Sequence, residues 1–293
     1  MDLFVTKSKV VTSNEFSKEL DKLNLFGKDV LIYSRLLSFG RLKSVDAVNE
    51  IIAILLEHIG SNGTLIIPTY TLNSYADKKF DLRDSKIMSG VLGEYASKNN
   101  RFTRTIHPVY SNCVIGKNIE IYLQQNINTC FGKGSFFDLF SSQSESVVLM
   151  AGLNFNGPTL YHYYDQKYSA KGRFIKEFQM QMKLDNFNFN ITFDSFVKDR
   201  QFYENRMNCL ANFDALVDNL ALVNRISIGD NFIHSISENH FHKVYRTALE
   251  VDQEYFLLSS NELWDLYYMK NQYNCNYGLI DKEKINLVNN ILR

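Results

Sequence analysis

The strongest chemical signal in the chain is a histidine and an acid three residues apart, His162 and Asp165, in the segment TLYHYYD. Thr159 is a suitable N-cap, so the segment predicts a helix start with both side chains on one face. A carboxylate that accepts from one imidazole nitrogen leaves the other nitrogen able to take a proton near neutral pH. The spacing therefore predicts a general base, His162, oriented by Asp165. The alternative is an acid that only stabilises the helix dipole.

Three weaker candidates lie earlier in the chain. The turn at residues 132–135 (GKGS) offers backbone N–H groups to a phosphate, but it lacks the Walker and dinucleotide-binding patterns, so an ordinary turn is the alternative. His107 precedes Pro108 and is either a site residue or a fixed loop residue. Cys113 and Cys130 are either thiol nucleophiles or inert buried cysteines.

Apolar segments around these candidates predict alternating strands and helices. Residues 30–33 and 63–68 are typical of buried strands, and residues 45–59 carry the stripe of an amphipathic helix, an order that predicts a right-handed parallel crossover. Further helices are predicted over residues 89–98, 213–224, 241–257 and 261–268. Residues 146–152 predict another buried strand, and residues 174–196 alternate as antiparallel strands do. We expect a single α/β domain, a layered α/β/α sandwich with a mostly parallel central sheet and an antiparallel β element in the C-terminal half.

The composition narrows the class of protein. The chain has 293 residues, 45% of them hydrophobic and 22% charged, which is typical of a globular protein. Its formal net charge of zero removes the usual electrostatic case for binding nucleic acid. No apolar run is long enough for membrane insertion, and the N-terminus does not resemble a signal peptide. The four cysteines, which include Cys209 and Cys275, show neither metal nor redox spacing, so we expect no metal and a cytoplasmic location.

Six segments, in this order, resemble the aminoglycoside 3-N-acetyltransferase family: SRLLSFG, GTLIIPT, RTIHPVYS, FGKGSFFDLF, VLMAG and TLYHYYD. They lie within residues 25–166. The resemblance implies an α/β/α fold and transfer of an acetyl group from acetyl-coenzyme A to an amine without a metal. It places His162 at the family's catalytic histidine position and Asp165 where the family has glutamate.

The same resemblance implies a coenzyme-binding set in the loops that follow the strands. Its members are Ser34, Arg35, Leu36, Leu37, Ser38, Phe39, Thr69, His107, Ser111, Gly134, Ser135 and Phe136. A group near Ser34 or Thr69 is expected to stabilise the oxyanion. Two of these positions depart from the family pattern, since Arg35 replaces a serine and Phe136 a proline, and the neighbouring Tyr33 replaces a histidine.

The acceptor is expected to bind mainly to residues 167–293, the more variable part of the domain. A polycationic aminoglycoside requires an acidic pocket, whereas this chain is neutral and places aromatic and basic residues after His162. We therefore expect a nucleotide-linked amino sugar of surface polysaccharide synthesis, with an aminoglycoside antibiotic as the alternative. The expected substrate-binding residues are Tyr70, Tyr163, Lys167 and Arg173.

Two rival hypotheses stay open at this point. One is a thiol mechanism with an acyl-enzyme on Cys113 or Cys130. The other is a non-catalytic coenzyme- or sugar-binding member of the fold, which is suggested by Tyr33 and by the shorter acid Asp165. Asn-rich stretches and an aromatic C-terminal third leave room for a homodimer.

Overall fold

The structure is a computed structural model that describes residues 1–155, 157–208, 210–259 and 282–293. The helix predicted over residues 261–268 lies outside the described residues, as do Cys209 and Cys275.

The described part of the chain contains fifteen strands. They are β1 (Asp2–Val5), β2 (Val10–Thr12), β3 (Asp29–Ser34), β4 (Arg41–Leu42), β5 (Thr64–Pro68), β6 (Lys79–Asp81), β7 (Thr103–Arg104), β8 (Asn112–Gly116), β9 (Ser146–Ala151), β10 (Arg173–Leu184), β11 (Phe187–Lys198), β12 (Arg206–Asn208), β13 (Asn224–Ile228), β14 (Asn231–Ser237) and β15 (Leu257–Ser259).

Its α-helices and two short 3₁₀ helices alternate with these strands. The α-helices are α1 (Ser13–Leu20), α2 (Val45–Ile59), α3 (Ser74–Asp77), α4 (Gly90–Lys98), α5 (Ile119–Leu123), α6 (Phe136–Ser141), α7 (Leu160–Lys167), α8 (Ala211–Asn219), α9 (Glu238–Val251) and α10 (Lys282–Leu292), and the 3₁₀ helices are Asp21–Leu23 and Leu36–Phe39. Helix α2 has the predicted bounds because Ser44 caps its start by accepting from the Ala47 N–H, and Gly60, at φ 69°, ends it.

The central sheet has seven strands in the order β13-β14-β9-β3-β5-β8-β7. The α/β class is confirmed, but the sheet is mixed rather than mostly parallel. Only β9, β3 and β5 run parallel to one another, while β14 pairs antiparallel with β9, and β8 pairs antiparallel with β5. The outermost strands are hairpin partners of β14 and β8, and a short hairpin connection forces antiparallel pairing.

Alternate residues of the central strands enter two separate cores. On β3, Val30 and Ile32 face the core formed with α1, α2 and α4, whereas Leu31 and Tyr33 face the core formed with α5, α6, α7 and α9. The sheet is therefore covered on both faces, as the predicted α/β/α layering requires. Tyr33 and α7, which carries His162, lie on the same side.

The antiparallel β element predicted for the C-terminal half is the long hairpin β10–β11. Its twelve cross-strand pairs begin with Arg173 opposite Lys198 and end with Leu184 opposite Phe187. Strand β6 extends this sheet by pairing parallel to β10. The hairpin therefore places two cations, Arg173 and Lys198, side by side at its open end. Strand β10 begins at this end, shortly after α7 in the chain.

None of the described helices is both long and apolar enough to cross a bilayer.

Candidate active site

Helix α7 places His162 and Asp165 on one face, as the three-residue spacing predicts. Thr159 occupies the position before the helix, but its side chain makes no capping hydrogen bond to it. The first turn is fixed instead by the backbone bond from the His162 N–H to the Thr159 carbonyl. The predicted cap is thus replaced by a backbone bond, while the predicted face is retained.

The imidazole and the carboxylate form a pair at the surface end of the site. His162 Nδ1 lies 3.5 Å from Asp165 Oδ2, which is looser than a good hydrogen bond. The His162 side chain is 21% exposed and the Asp165 side chain 6% exposed. Since Nδ1 faces the carboxylate, Nε2 is the nitrogen that remains for proton transfer.

Two further side chains fix the Asp165 carboxylate from other elements. The hydroxyl of Tyr245, on α9, donates to Oδ1 over 2.8 Å. The Nε of Arg173, the first residue of β10, lies 3.2 Å from Oδ2, and the Arg173 side chain is only 3% exposed. The acid is therefore held by a buried cation and a buried hydroxyl, and His162 shares one of its oxygens with Arg173.

The surroundings keep His162 neutral. Burial lowers the pKa of His162, the interaction with the Asp165 carboxylate opposes this effect, and the positive charges of Arg173 and Lys198 lower the pKa further. A histidine that is neutral near pH 7 has the protonation state that a general base requires.

Aromatic rings line the site around the imidazole. The ring of Tyr161 lies 4.0 Å from that of His162 between centroids, and the ring of Phe131 lies 5.5 Å away. On the hairpin side, the Lys198 Nζ lies 4.7 Å from the centroid of Tyr203. The site thus combines one base, aromatic faces and an exposed lysine.

The loop at residues 34–39, after β3, divides into buried and accessible positions. Leu36 and Phe39 belong to the core, whereas Leu37 is 62% exposed and Arg35 is exposed. The Ser38 hydroxyl donates to the Arg35 and Gly152 carbonyls, which fixes the loop against the end of β9. Leu36 and Phe39 were predicted to contact the coenzyme, but their side chains are buried and pack in the core beneath the loop.

The glycine turn at residues 132–135 uses its own N–H groups internally. The Gly132 N–H donates to Thr129 Oγ1, and the Gly134 N–H donates to Asp138 Oδ2. Ser135 caps α6 by accepting from the Asp138 N–H. The Asp138 carboxylate at this turn disfavours the binding of a phosphate there. Gly134 and Ser135 were predicted to contact the coenzyme, and in the structure they stabilise the start of α6.

Four other residues predicted to contact the coenzyme are buried, and they hold loops or pack in the core. Thr69 and Ser111 are fully buried and donate to each other's backbone carbonyls. His107 accepts two backbone N–H groups at Nδ1, and burial lowers its pKa to about 3. Phe136, 3% exposed, packs in the aromatic core between α5 and α6. These four positions therefore shape the loops and have little surface for a ligand.

The four residues predicted to bind the acceptor do not form one site in the structure. Tyr163 donates to Asp138 Oδ1 over 2.8 Å, and Lys167 donates to the Tyr163 hydroxyl, so both lie on the face of α7 that points away from His162. Arg173 binds Asp165 and is buried, so it supports the base where substrate contact was predicted. Tyr70 lies beside Tyr33, with hydroxyls 3.4 Å apart.

Two surface cavities lie apart from His162. One, of about 600 Å³, is lined by residues of the 71–86 segment and by Gln181, Lys183 and Asn188. The other, of about 790 Å³, lies between the first turns of α2 and the length of α4, and its lining includes Val45, Tyr95, Lys98 and Arg101. Its lining also includes Leu42 and Ser44, which lie between the loop at residues 34–39 and α2 in the chain.

Within the described ranges, no three His, Cys, Asp or Glu side chains are grouped to hold a metal ion.

A comparison with protein families matches residues 31–250 to the model of aminoglycoside 3-N-acetyltransferase. The chain belongs to the aminoglycoside 3-N-acetyltransferase family. This match confirms the predicted family and the class of N-acetyltransferase. No curated protein sequence matches the chain.

Solved structures of this family share the fold at low sequence identity. AAC(3)-IIb has a TM-score of 0.71 and 16% identity, over 83% of this chain and 97% of that one. AAC-IIIb, described as a binary complex with CoASH, has a TM-score of 0.66 and 20% identity, over 82% and 96%. AAC-VIa, described as bound to sisomicin, has a TM-score of 0.68 and 16% identity, over 82% and 97%. They confirm the α/β fold class.

Two departures from the acetyltransferase family pattern have a structural counterpart. Tyr33, in place of the family's histidine, is buried, and burial raises the pKa of its hydroxyl. Hydrogen bonds with Tyr70, Leu160 and Thr159 oppose that rise, so the Tyr33 hydroxyl lies at the start of α7. Asp165, in place of glutamate, reaches His162 only at 3.5 Å but gains Arg173.

Sequence reasoning missed Tyr245 and Lys198. Tyr245 lies eighty positions after Asp165 on the buried face of α9, where an amphipathic pattern indicates only core packing. Lys198 ends β11, and only the hairpin register, which pairs it with Arg173, brings it to the site. No local motif marks either residue.

Proposed function

We propose that this member of the acetyltransferase family transfers an acetyl group from acetyl-coenzyme A to an amine, with His162 as the general base. The observation that carries the proposal is the pair on α7: a partly exposed imidazole whose Nδ1 faces a buried carboxylate at 3.5 Å. This arrangement leaves Nε2 to accept a proton.

The reaction is direct transfer between two bound substrates. The acceptor nitrogen attacks the thioester carbonyl, and His162 Nε2 takes the proton that the nitrogen loses. The C–N bond forms, the C–S bond breaks, and the coenzyme thiolate leaves and is protonated. Asp165 stabilises the imidazolium that forms, and holding both substrates in one cleft supplies the proximity.

The thiol groups do not favour an acyl-enzyme. Burial raises the pKa of Cys113 to about 11 and the pKa of Cys130 to about 12, so both are protonated at neutral pH. A protonated, buried thiol is a poor nucleophile. The buried cysteines therefore support direct transfer over the thiol mechanism.

The groove between α2 and α4 has the chemistry that coenzyme A requires. The groove supplies apolar surface from Val45, an aromatic ring from Tyr95, and two cations, Lys98 and Arg101. Aromatic and cationic side chains suit an adenine ring and phosphate groups.

The comparisons support an aminoglycoside-type amine as the acceptor. One structural neighbour is described as bound to sisomicin and another as in complex with a gentamicin, and the family is named for this class of substrate. An amine on an amino sugar is the group that the proposed chemistry acetylates.

A nucleotide-linked amino sugar is the second candidate, and one observation favours it. The exposed Lys198 stands opposite Arg173 and beside the Tyr203 ring, close enough to lower the pKa of His162. A cation and an aromatic face suit a diphosphate and a base better than a polycation. The comparisons give this candidate no support.

The test is thiol release from acetyl-coenzyme A with a panel of aminoglycosides and nucleotide-linked amino sugars. We expect turnover that falls by about 10²–10⁴-fold in His162→Gln. His240→Gln is the matched control, since His240 is exposed on α9. Acetyl-coenzyme A binding without turnover of any amine would favour the non-catalytic alternative.

Three expectations stay predictions: the cytoplasmic location, the homodimer, and a single domain over residues 1–293 with a catalytic part up to residue 166 and an acceptor part from residue 167.

A further inference from the structure

A buried cation lies behind the acid of the dyad. Arg173 Nε is 3.2 Å from Asp165 Oδ2, and the two side chains are 3% and 6% exposed. A guanidinium so deeply buried has no surface with which to recognise a substrate. A buried charge requires a close partner of opposite sign, and here that partner is the carboxylate that also faces His162, while Arg173 Nη1 donates to the Phe196 carbonyl.

Arg173 and His162 share the same carboxylate oxygen. His162 Nδ1 is 3.5 Å from Oδ2, farther than Arg173 Nε, while Oδ1 is taken by the Tyr245 hydroxyl at 2.8 Å. The carboxylate cannot rotate toward His162 without weakening both other contacts. Its charge is therefore divided between a permanent cation and a titratable ring.

We propose that Arg173 is a positioning residue for acetyl transfer, which fixes the Asp165 carboxylate that His162 faces. The proposal rests on the proposed function of His162 as the base. It explains how the shorter acid works in this chain, because the aspartate is held by Arg173 and Tyr245 instead of approaching the imidazole closely.

Other charged and titratable groups surround the dyad from every element packed against it. They are Tyr161 on α7, Lys198 on β11, Tyr203 after β11, Tyr245 on α9 and Tyr110 before β8. Burial raises the pKa of each of these tyrosines, so they stay neutral in the range where His162 titrates. Asp165, Arg173 and Lys198 are thus the charges that act on the ring.

The test follows the titration of the His162 ring by NMR, with the signal assigned by its loss in His162→Gln. In Arg173→Gln the cation is gone and Asp165 acts on His162 alone, so the midpoint should rise by about one pH unit. The acid limb of kcat/KM should move upward by the same amount. Lys171→Gln is the matched control, because it removes an exposed cation that pairs with Glu254, and its midpoint should equal that of the unmodified protein.

Arg173→Lys covers the case in which Arg173→Gln does not fold. It keeps the charge but loses the planar guanidinium, so the midpoint should stay near the unmodified value while kcat falls and KM for acetyl-coenzyme A does not change. A midpoint that does not move in Arg173→Gln, or that rises by a full unit in Arg173→Lys, overturns the proposal. Failure of the proposed function would show differently, as a lack of turnover by the unmodified protein, while the ring titration would still report on Arg173.

Discussion

Replacing Asp165 with asparagine should destabilise the fold strongly, because it removes the charge that compensates Arg173. The substitution preserves volume, so packing loss is small. It leaves a guanidinium that is 3% exposed without its carboxylate, and breaking a buried pair from one side costs about 3–5 kcal/mol. The Tyr245 hydroxyl keeps an oxygen acceptor only if the amide is oriented toward it.

The matched control removes both charges. Asp165→Asn combined with Arg173→Gln replaces the ion pair by two neutral amides that can bond to each other, so we expect the double variant to recover most of the loss. The resulting coupling free energy should be about 2 kcal/mol or more. Acetyl transfer should not recover with stability, because His162 still lacks its carboxylate.

Urea unfolding followed by far-UV circular dichroism measures the free energy of unfolding of four proteins: the unmodified protein, Asp165→Asn, Arg173→Gln and the double variant. Thermal unfolding should show Asp165→Asn lower by about 6 °C or more. Two results would contradict a coupled buried pair of Arg173 and Asp165: a loss of less than about 1 kcal/mol in Asp165→Asn, or a loss of stability in the double variant that equals the sum of the losses in the two single variants.

Three further predictions concern other parts of the molecule. Cys113→Ala and Cys130→Ala should each retain turnover within a few-fold, with initial-rate patterns that exclude ping-pong kinetics; loss of turnover in either would revive the acyl-enzyme. Lys98→Ala with Arg101→Ala should raise KM for acetyl-coenzyme A several-fold and reduce its dependence on salt, while an unchanged KM would place the coenzyme elsewhere. The melting temperature should fall from pH 7 to pH 5. Four histidines have lowered pKa values in the folded protein, so the unfolded chain binds more protons over this range, and the folded state loses stability. Two carboxyl groups with raised pKa values act in the opposite direction but are fewer, and a melting temperature that does not change with pH would contradict the prediction. The groups concerned are His107, His162, His234 and His242, against Asp214 and Glu238.

The regular elements of the fold could be predicted because their signals are local. The stripe of α2 and its caps lie within one short segment, and β3, β5 and β9 are continuous apolar runs. The direction of the outer strands could not be predicted in the same way. It depends on which hairpin joins the sheet edge, and β8 and β14 reach their partners from distant parts of the chain.

The base and its acid were predictable for the same reason, since residues three apart on one helix share a face. The support of that pair was not. Tyr245 and Lys198 come to Asp165 through tertiary packing, and the burial of Arg173 changes its predicted role from substrate contact to positioning. The glycine turn is the opposite case, because its pattern suggests an anion site while Thr129 Oγ1 and Asp138 Oδ2 accept the Gly132 and Gly134 N–H groups.

The most direct test of the account is acetyl transfer by His162→Gln, measured as thiol release with an acceptor that the unmodified protein acetylates. We expect a fall of about 10²–10⁴-fold in kcat, with acetyl-coenzyme A binding and the melting temperature close to the unmodified values. Turnover within a few-fold of the unmodified protein would contradict the role of His162 as the base.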